Sequence, residues 1–272
     1  MNQHTEANNI NRFLGYSNLY DQNRPIPPSD IVKILTNYLQ AAPQRVADVG
    51  CGTGLSSFIW LNNANEIIGV EPNDDMLEVA IANWNAQEKP ASIQFVKALS
   101  TKLPFTSESI DIITCSQSFH WMEPQATLRE FARVLNKGGV FAAYDCDWPP
   151  SFNKEVEESY KRLISQAEVL VEQLSTKEDQ TYKWNKEEHL LQIRKSGLFS
   201  FAKEIVFHNW ETCDADRYGN IALSQGSLQT ALKLGANDLK DSITKFRNQV
   251  ERVFAGKEHD ILFYYRMRIA VK

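Results

Sequence analysis

Three residue groups in this chain could do chemistry: a cluster of glycines after an apolar run, a carboxylate about twenty residues further on, and a histidine between aromatics. In Val46-Ala47-Asp48-Val49-Gly50-Cys51-Gly52-Thr53-Gly54 the apolar residues predict a strand, the alternating glycines a tight turn, and the residues beyond them a helix start. Glycines at such a turn let the backbone come close to a ligand. A dinucleotide loop spaces its glycines G-x-G-x-x-G and presents a helix N-terminus to a pyrophosphate. Here the third glycine, Gly54, comes one residue early and departs from that spacing; a plain glycine-rich strand-to-helix turn is the structural alternative. Glu71 closes the next apolar run, Glu66–Val70, where a carboxylate can accept both hydroxyls of a ribose or stand as a solvated strand-end charge. His120, in Phe119-His120-Trp121, is the best-placed general base, with Asp145 and Asp147 behind it; a packed, hydrogen-bonded histidine is the alternative.

The elements that must position these groups follow from periodicity and punctuation. Pro25, Pro27 and Pro28 fix an extended approach to a helix at Ile31–Leu39. Strands are expected at Val46–Val49, Glu66–Val70, Ile93–Val96 and Ile110–Cys115, with helices at Leu55–Leu61, from Asn73 or Asp74 to Trp84, and at Pro124–Leu135. Gly138-Gly139 is expected to turn the chain into a fifth strand, Val140–Tyr144. This alternation predicts an α/β fold with a doubly wound, mostly parallel sheet. After Trp148-Pro149-Pro150 the pattern changes: helices are expected over residues 152–175 and 186–195, a strand at Phe199–Phe207, a long helix at Asp238–Phe254 and a last strand at Asp260–Val271, an antiparallel addition to the sheet. In such a sheet ligands bind at the carboxyl ends of the strands, where strand order reverses. That rule nominates the glycine loop, Glu71 and the residues after the fourth and fifth strands.

At 272 residues with 43% hydrophobic content, the chain fits one domain with a substantial insertion. A formal net charge of −5 with no long basic run speaks against nucleic acid as a partner. The four cysteines form no C-x-x-C pair and have no histidine at ligand spacing, so reduced thiols and no metal site are expected. The opening Met-Asn-Gln-His-Thr-Glu lacks a basic region followed by an apolar core, and no apolar run could span a bilayer, so a soluble cytoplasmic protein without membrane attachment is expected.

Five landmarks in order carry a family likeness: the Val46–Gly54 loop, Gly69-Val70-Glu71-Pro72 with Met76, Leu103-Pro104-Phe105 before Ser109-Ile110-Asp111, and Leu135-Asn136-Lys137-Gly138-Gly139. Together they resemble the class I S-adenosylmethionine-dependent methyltransferases. Tyr20-Asp21-Gln22-Asn23-Arg24-Pro25 and Phe119-His120-Trp121 are similar to the small-molecule subgroup that includes trans-aconitate methyltransferases. The likeness implies a seven-stranded Rossmann-like sheet with an antiparallel last strand and S-adenosyl-L-methionine as cofactor. It implies that Asp48, Gly50, Cys51, Gly52 and Ser116 belong to the cofactor loop and its neighbour strand, and that Glu71 holds the ribose. By the same likeness Met76 and Leu99 flank the adenine, the backbone near Ala98 reads its edge, and Tyr20 and Arg24 lie over the methionyl end. Many relatives carry an acidic residue where this chain has Leu99-Ser100-Thr101, so a side-chain contact to the adenine amino group is left to Ser100.

The organisation that follows is an N-terminal arm, 1–30, closing over the site; a cofactor-binding core, 31–148; a helical insertion or lid, 149–198; and 199–272, completing the sheet with substrate-facing helices. The expected reaction is methyl transfer to a small molecule, at an oxygen of a carboxylate or hydroxyl. Trp121, with Phe119 and Trp148, would wall the acceptor pocket, and Arg217 and Tyr218 would face the acceptor. An anionic acceptor requires a cation, for which Arg194, Arg217 and Arg266 are available. The alternatives are a nicotinamide-dependent oxidoreductase and a catalytically inactive cofactor-binding protein. A base methyltransferase is disfavoured because Ser116-Gln117-Ser118-Phe119 is not the Asn/Asp-Pro-Pro-Tyr sequence of enzymes acting on exocyclic amino groups.

Overall fold

The computed structural model describes residues 3–12, 14–176, 178 and 181–272. Its centre is one seven-stranded sheet in the order β3-β2-β1-β4-β5-β7-β6. The strands are β1 (Arg45–Val49), β2 (Glu66–Val70), β3 (Ile93–Val96), β4 (Ile110–Ser116), β5 (Leu135–Cys146), β6 (Phe201–Cys213) and β7 (His259–Val271). β1 to β5 pair in parallel, and β7 runs antiparallel to both β5 and β6. The inner strands β1, β2 and β4 are short and apolar because both faces are covered. Val46, Ile67 and Ile112 pack on one face, and Ala47, Ile68 and Ile113 on the other.

Helices α1 (Gln3–Asn11), α2 (Ser17–Asn23) and α3 (Asp30–Leu39) precede the sheet; α4 (Leu55–Phe58), α5 (Asp74–Ala86) and α6 (Pro124–Val134) connect its parallel strands. α5 starts where expected, because Asn73 Oδ1 accepts from the Met76 N–H (3.0 Å) and Asp74 and Asp75 sit in the electropositive first turn. α7 (Lys154–Leu174), α8 (His189–Ser196), α9 (Ala215–Leu223), α10 (Gly226–Lys233) and α11 (Leu239–Phe254) follow. α7 packs on α10 and α11, so the insertion after β5 and the crossover between β6 and β7 share one aromatic core with Tyr160, Tyr218, Phe246, Phe254 and Phe263.

Three sequence expectations change. The helix after the glycine turn ends at Phe58 and not Leu61, giving way to turns. Gly138-Gly139 does not precede the fifth strand but lies inside it: the register jumps from Ile110↔Leu135 to Ile112↔Val140, and the glycines bulge out to bond the backbone of Lys272. β6 continues six residues past Phe207, because as an edge strand it alternates exposed Val206, His208 and Trp210 with half-buried neighbours, and its polar residues hide it from a search for apolar runs. Among the described residues no helix is long and apolar enough to cross a membrane.

β1 lies between β2 and β4, so the chain leaves it in one direction and returns on its other side. The crevice at the carboxyl ends of β1 and β4 is therefore the place where this architecture holds a ligand.

Candidate functional site

A pocket opens at that crevice. Its floor is the glycine loop, Val49 to Ser56; one wall carries Glu71, Pro72 and Met76, another Ala98, Leu99 and Ser100, and a third Ser116, Gln117, Ser118, Trp121 and Met122. The N-terminal arm covers it with Glu6, Asn9, Ile10, Arg12, Tyr20 and Arg24.

The loop has its shape because three glycines take the left-handed region, at φ 69°, 57° and 88° for Gly50, Gly52 and Gly54. Side chains there would differ in consequence. A Cβ at Gly50 would come within 2.6 Å of Ser118, whereas one at Gly52 would meet nothing within 4 Å. Gly52 thus offers bare backbone to open pocket space. Its N–H donates to Glu71 Oε2 (3.0 Å), and the Asn73 N–H donates to Glu71 Oε1 (2.9 Å). These bonds fix the carboxylate at the pocket edge. Burial raises the Glu71 carboxyl, an effect that the two N–H donors and Arg12 oppose. Gly69, on β2 beneath the loop, admits no side chain, since a Cβ would lie 2.4 Å from the Phe95 ring.

Eleven of the residues expected at the site do line the pocket: Tyr20, Arg24, Gly50, Cys51, Gly52, Glu71, Met76, Ala98, Leu99, Ser116 and Trp121. Arg24 is 7% exposed, donates to the Ser224 carbonyl (2.9 Å) and lies between the rings of Tyr20 and Trp148 at 4.8 and 4.7 Å. Ser100 also lines the pocket, its hydroxyl 2.9 Å from that of Thr127.

Four of the expected residues do not line this pocket. Asp48 lies beneath the loop and not in the pocket: fully buried, it accepts from Ser56 (2.6 Å), Ser57 (2.7 Å) and Thr114 (2.9 Å), tying β1 to α4 and β4. Tyr218 is buried in the helical core, its ring against Tyr160, Phe152 and Phe254. Arg217 spends its guanidinium on Glu211 and the Thr212 carbonyl (3.0 Å). His120 does not line the pocket either. Its Nδ1 lies 3.2 Å from Asp145 Oδ1, in a buried group with Lys186 Nζ at 2.8 Å from the same oxygen and Arg268 Nη1 at 3.6 Å from Oδ2.

That group holds two of the three sequence candidates for a base, His120 and Asp145. Burial alone would raise the Asp145 carboxyl, but Lys186 and His120 outweigh it and hold it below its ordinary range. Burial, reinforced by Lys186, pushes His120 well below the usual imidazole value. His120, Asp145 and His189 bring potential ligand atoms within 4.8 Å of one another, and the cations beside this carboxylate are the Lys186 ammonium and the Arg268 guanidinium. Asp147 is taken by Arg266 (3.0 Å). Arg194 donates to the Ala202 carbonyl (3.0 Å). The cations that do line the pocket, Arg12 and Arg24, come from the N-terminal arm.

A pH dependence follows. A histidine held neutral in the folded state protonates more readily when unfolded, so stability falls as pH drops below about 6.5, by up to about 1.4 kcal/mol per pH unit per group. His120 and His189 are both lowered by burial and act in this sense; Asp48 and Glu71, raised by burial, act in the opposite one. The contribution of His120 is therefore the difference in slope between the wild type and His120→Gln, measured by urea unfolding from pH 7.5 to 5.5. The wild type is expected to show the steeper loss; parallel profiles would mean that His120 is protonated in the fold.

Sequence reasoning missed the pocket residues of α1 and of the turn that follows it. Arg12 stacks on Trp121, its guanidinium carbon 3.4 Å from a ring centroid, and burial lowers its pKa to about 9. Asn9 donates to the carbonyls of Trp121 (3.0 Å) and Tyr182 (2.9 Å) and accepts from the Tyr182 N–H (2.9 Å). No local pattern in Gln-His-Thr-Glu-Ala-Asn-Asn-Ile-Asn marks these partners, which lie more than 100 residues away.

Comparison with known proteins places this geometry. Residues 47–143 match the family model described as a methyltransferase domain. The chain is 34% identical over 121 residues to the ubiquinone/menaquinone biosynthesis C-methyltransferase UbiE of Campylobacter jejuni, covering 42% of this chain and 48% of that protein. It spans less than half the length of the curated relatives it matches. Among solved structures, a protein of Anaeromyxobacter dehalogenans described as a candidate type II methyltransferase superposes with a TM-score of 0.66 at 16% identity, over 91% of this chain and 97% of that one. Phosphoethanolamine N-methyltransferase 2 of Haemonchus contortus, in complex with S-adenosyl-L-methionine, gives 0.54 at 16% identity, over 94% and 56%. At such identities the structural likeness is one of fold. A nicotinamide oxidoreductase and an inactive binding protein are not favoured by these matches.

Proposed function

We propose that this chain transfers a methyl group from S-adenosyl-L-methionine to a small molecule, at an oxygen of a carboxylate or hydroxyl; the match of residues 47–143 to a methyltransferase domain supports the reading. The observation that carries the reading is the pairing of Gly52, bare backbone facing open space, with the Glu71 carboxylate fixed beside it. The pocket also suits the donor chemically. Glu71 would accept from a ribose diol, Met76 and Leu99 offer apolar surface for a base, and the buried Arg24 carries a positive charge for a carboxylate. Ala98 and Ser100 would meet the edge of the base, and Ser116 the region beyond the loop.

When bound, the cofactor supplies a methyl group that is already strongly electrophilic. The chain's task is then to hold an acceptor oxygen in line with it and to exclude water. Trp121 walls the pocket with Arg12 stacked on it, and Tyr20 and Arg24 close it from the arm. No side-chain base is assigned, since His120 is paired within the protein; an ionised carboxylate acceptor needs none. We further propose that residues 1–30 act as the closing arm and 31–148 as the core, with 149–198 and 199–272 forming a shared helical cover and completing the sheet.

Glu71→Ala is expected to weaken cofactor binding by about 1.5–3 kcal/mol, the scale of a hydrogen bond to a charged group. Calorimetric titration with S-adenosylhomocysteine measures it. An undiminished affinity would place the ribose elsewhere. Labelled S-adenosylmethionine incubated with a metabolite extract tests transfer itself: the expected result is a labelled small molecule, and label confined to protein or nucleic acid would overturn the acceptor class.

A further inference from the structure

We propose that Asn9 is a positioning residue that latches helix α1 over the pocket by clasping the strap formed by residues 181–186, so that release of this clasp admits and discharges the cofactor. The inference rests on the methyl-donor reading of the pocket.

The strap is fixed at its far end. The Trp184 N–H donates to the His120 carbonyl (2.8 Å), and Lys186 reaches into the fold to the buried Asp145 (2.8 Å). This gives the buried charge group, unused by the chemistry, a mechanical role as an anchor. At its near end the strap meets α1 through Asn9. An asparagine amide has two N–H donors and one carbonyl acceptor. Asn9, 4% exposed, uses both: its carbonyl takes the Tyr182 N–H, and its amide group donates to the Tyr182 and Trp121 carbonyls. The side chain therefore pairs with the strap backbone in both directions while gripping the acceptor wall.

α1 lies directly over the donor-binding residues. The Ile10 carbonyl accepts from Asn73 Nδ2 (2.8 Å), and the backbone of Asn73 bonds Glu71 (2.9 Å). A ligand held at Glu71 is thus covered by α1, whose residues Glu6, Asn9 and Ile10 line the pocket together with Arg12 just beyond its end. The helix itself is polar. Ile10 is its one aliphatic residue larger than alanine and is only half-buried, so polar bonds and the Arg12–Trp121 stack hold α1 in place more than apolar burial does. An element held in that way opens locally at low cost while the core stays folded. Asn9 sets that cost because its bonds join two segments 173 residues apart.

Two measurements on the full chain test the clasp. In hydrogen exchange without ligand, the Tyr182 amide is expected to be protected in the wild type and to lose protection in Asn9→Ala, with the amides of Val46–Val49 unchanged as a check on folding. In surface-binding kinetics with S-adenosylhomocysteine as probe, Asn9→Ala is expected to release it about 10- to 100-fold faster, the equivalent of one to two net hydrogen bonds. Asn9→Asp, which keeps the acceptor and loses both donors, should fall between. Retained protection at Tyr182 in Asn9→Ala, or an unaltered release rate, would overturn the clasp. Failure of the wild type to bind the probe would instead overturn the methyl-donor reading, and exchange at Tyr182 would still decide whether the clasp exists.

Discussion

Gly52→Val is expected to abolish binding of S-adenosylmethionine and S-adenosylhomocysteine, by at least ~100-fold or about 2.7 kcal/mol, while leaving the protein folded. Gly52 sits at φ 57°, where a branched side chain costs roughly 1–2 kcal/mol of backbone strain. That cost is small beside the stability of a domain whose sheet is covered on both faces. The new side chain would meet no protein atom within 4 Å, so it would occupy ligand space and leave the packing of the loop intact. The N–H that orients Glu71 would shift with any relaxation of the strain, compounding the loss. Gly50→Ala offers a contrast, because its Cβ would press on Ser118 at 2.6 Å and disturb the loop itself. Calorimetry with S-adenosylhomocysteine beside a thermal melt separates the two effects. A folded Gly52→Val protein with undiminished affinity would remove the loop from the binding site.

The parts of this molecule that sequence alone made legible are those whose causes are local. β1 to β4 are short apolar runs bounded by turn residues, and α5 begins at Asn73 because that side chain caps it, so both could be placed from neighbours within a few positions. The glycine loop and Glu71 belong together because the order of strands brings successive carboxyl ends to one crevice. Residues whose surroundings depend on distant partners could not be placed from sequence. His120, Arg217 and Tyr218 have the right chemistry for a site, but Asp145 with Lys186, Glu211, and the α7–α11 core claim them first. Asn9 and Arg12 were overlooked for the converse reason: a polar helix shows little pattern until the strap and Trp121 supply its partners. Asp111, one of the family landmarks, proved architectural, accepting from the Gln44 and Arg45 N–H groups (2.8 and 3.0 Å) and from Asn136 (2.8 Å).

Asp145→Ala is expected to cost about 3–5 kcal/mol of folding stability, the range for removing one partner from a buried ionic group. The carboxylate is 2% exposed at the end of β5 and faces Lys186, Arg268 and His120 together. Without it, Arg268, itself 2% exposed, keeps only Glu204 (2.9 Å), and Lys186 loses the anion that draws the strap inward. Because the carboxyl is held below its ordinary range in the fold, its stabilisation is present above the unfolded value of about 3.9 and is lost as pH falls through that value towards the folded one. The stability deficit of Asp145→Ala, measured by urea unfolding, should accordingly be full at pH 7 and shrink below about pH 4. Lys186→Met should reproduce part of it, and the double variant should lose less than the sum of the two, since the remaining methionine no longer leaves a cation unpaired. A loss below about 1 kcal/mol at pH 7 would show the group to be solvated in the manner of a surface pair. If the deficit is as large as expected, the same substitution should also weaken protection of the Tyr182 amide, because the strap that Asn9 grasps would have lost its anchor.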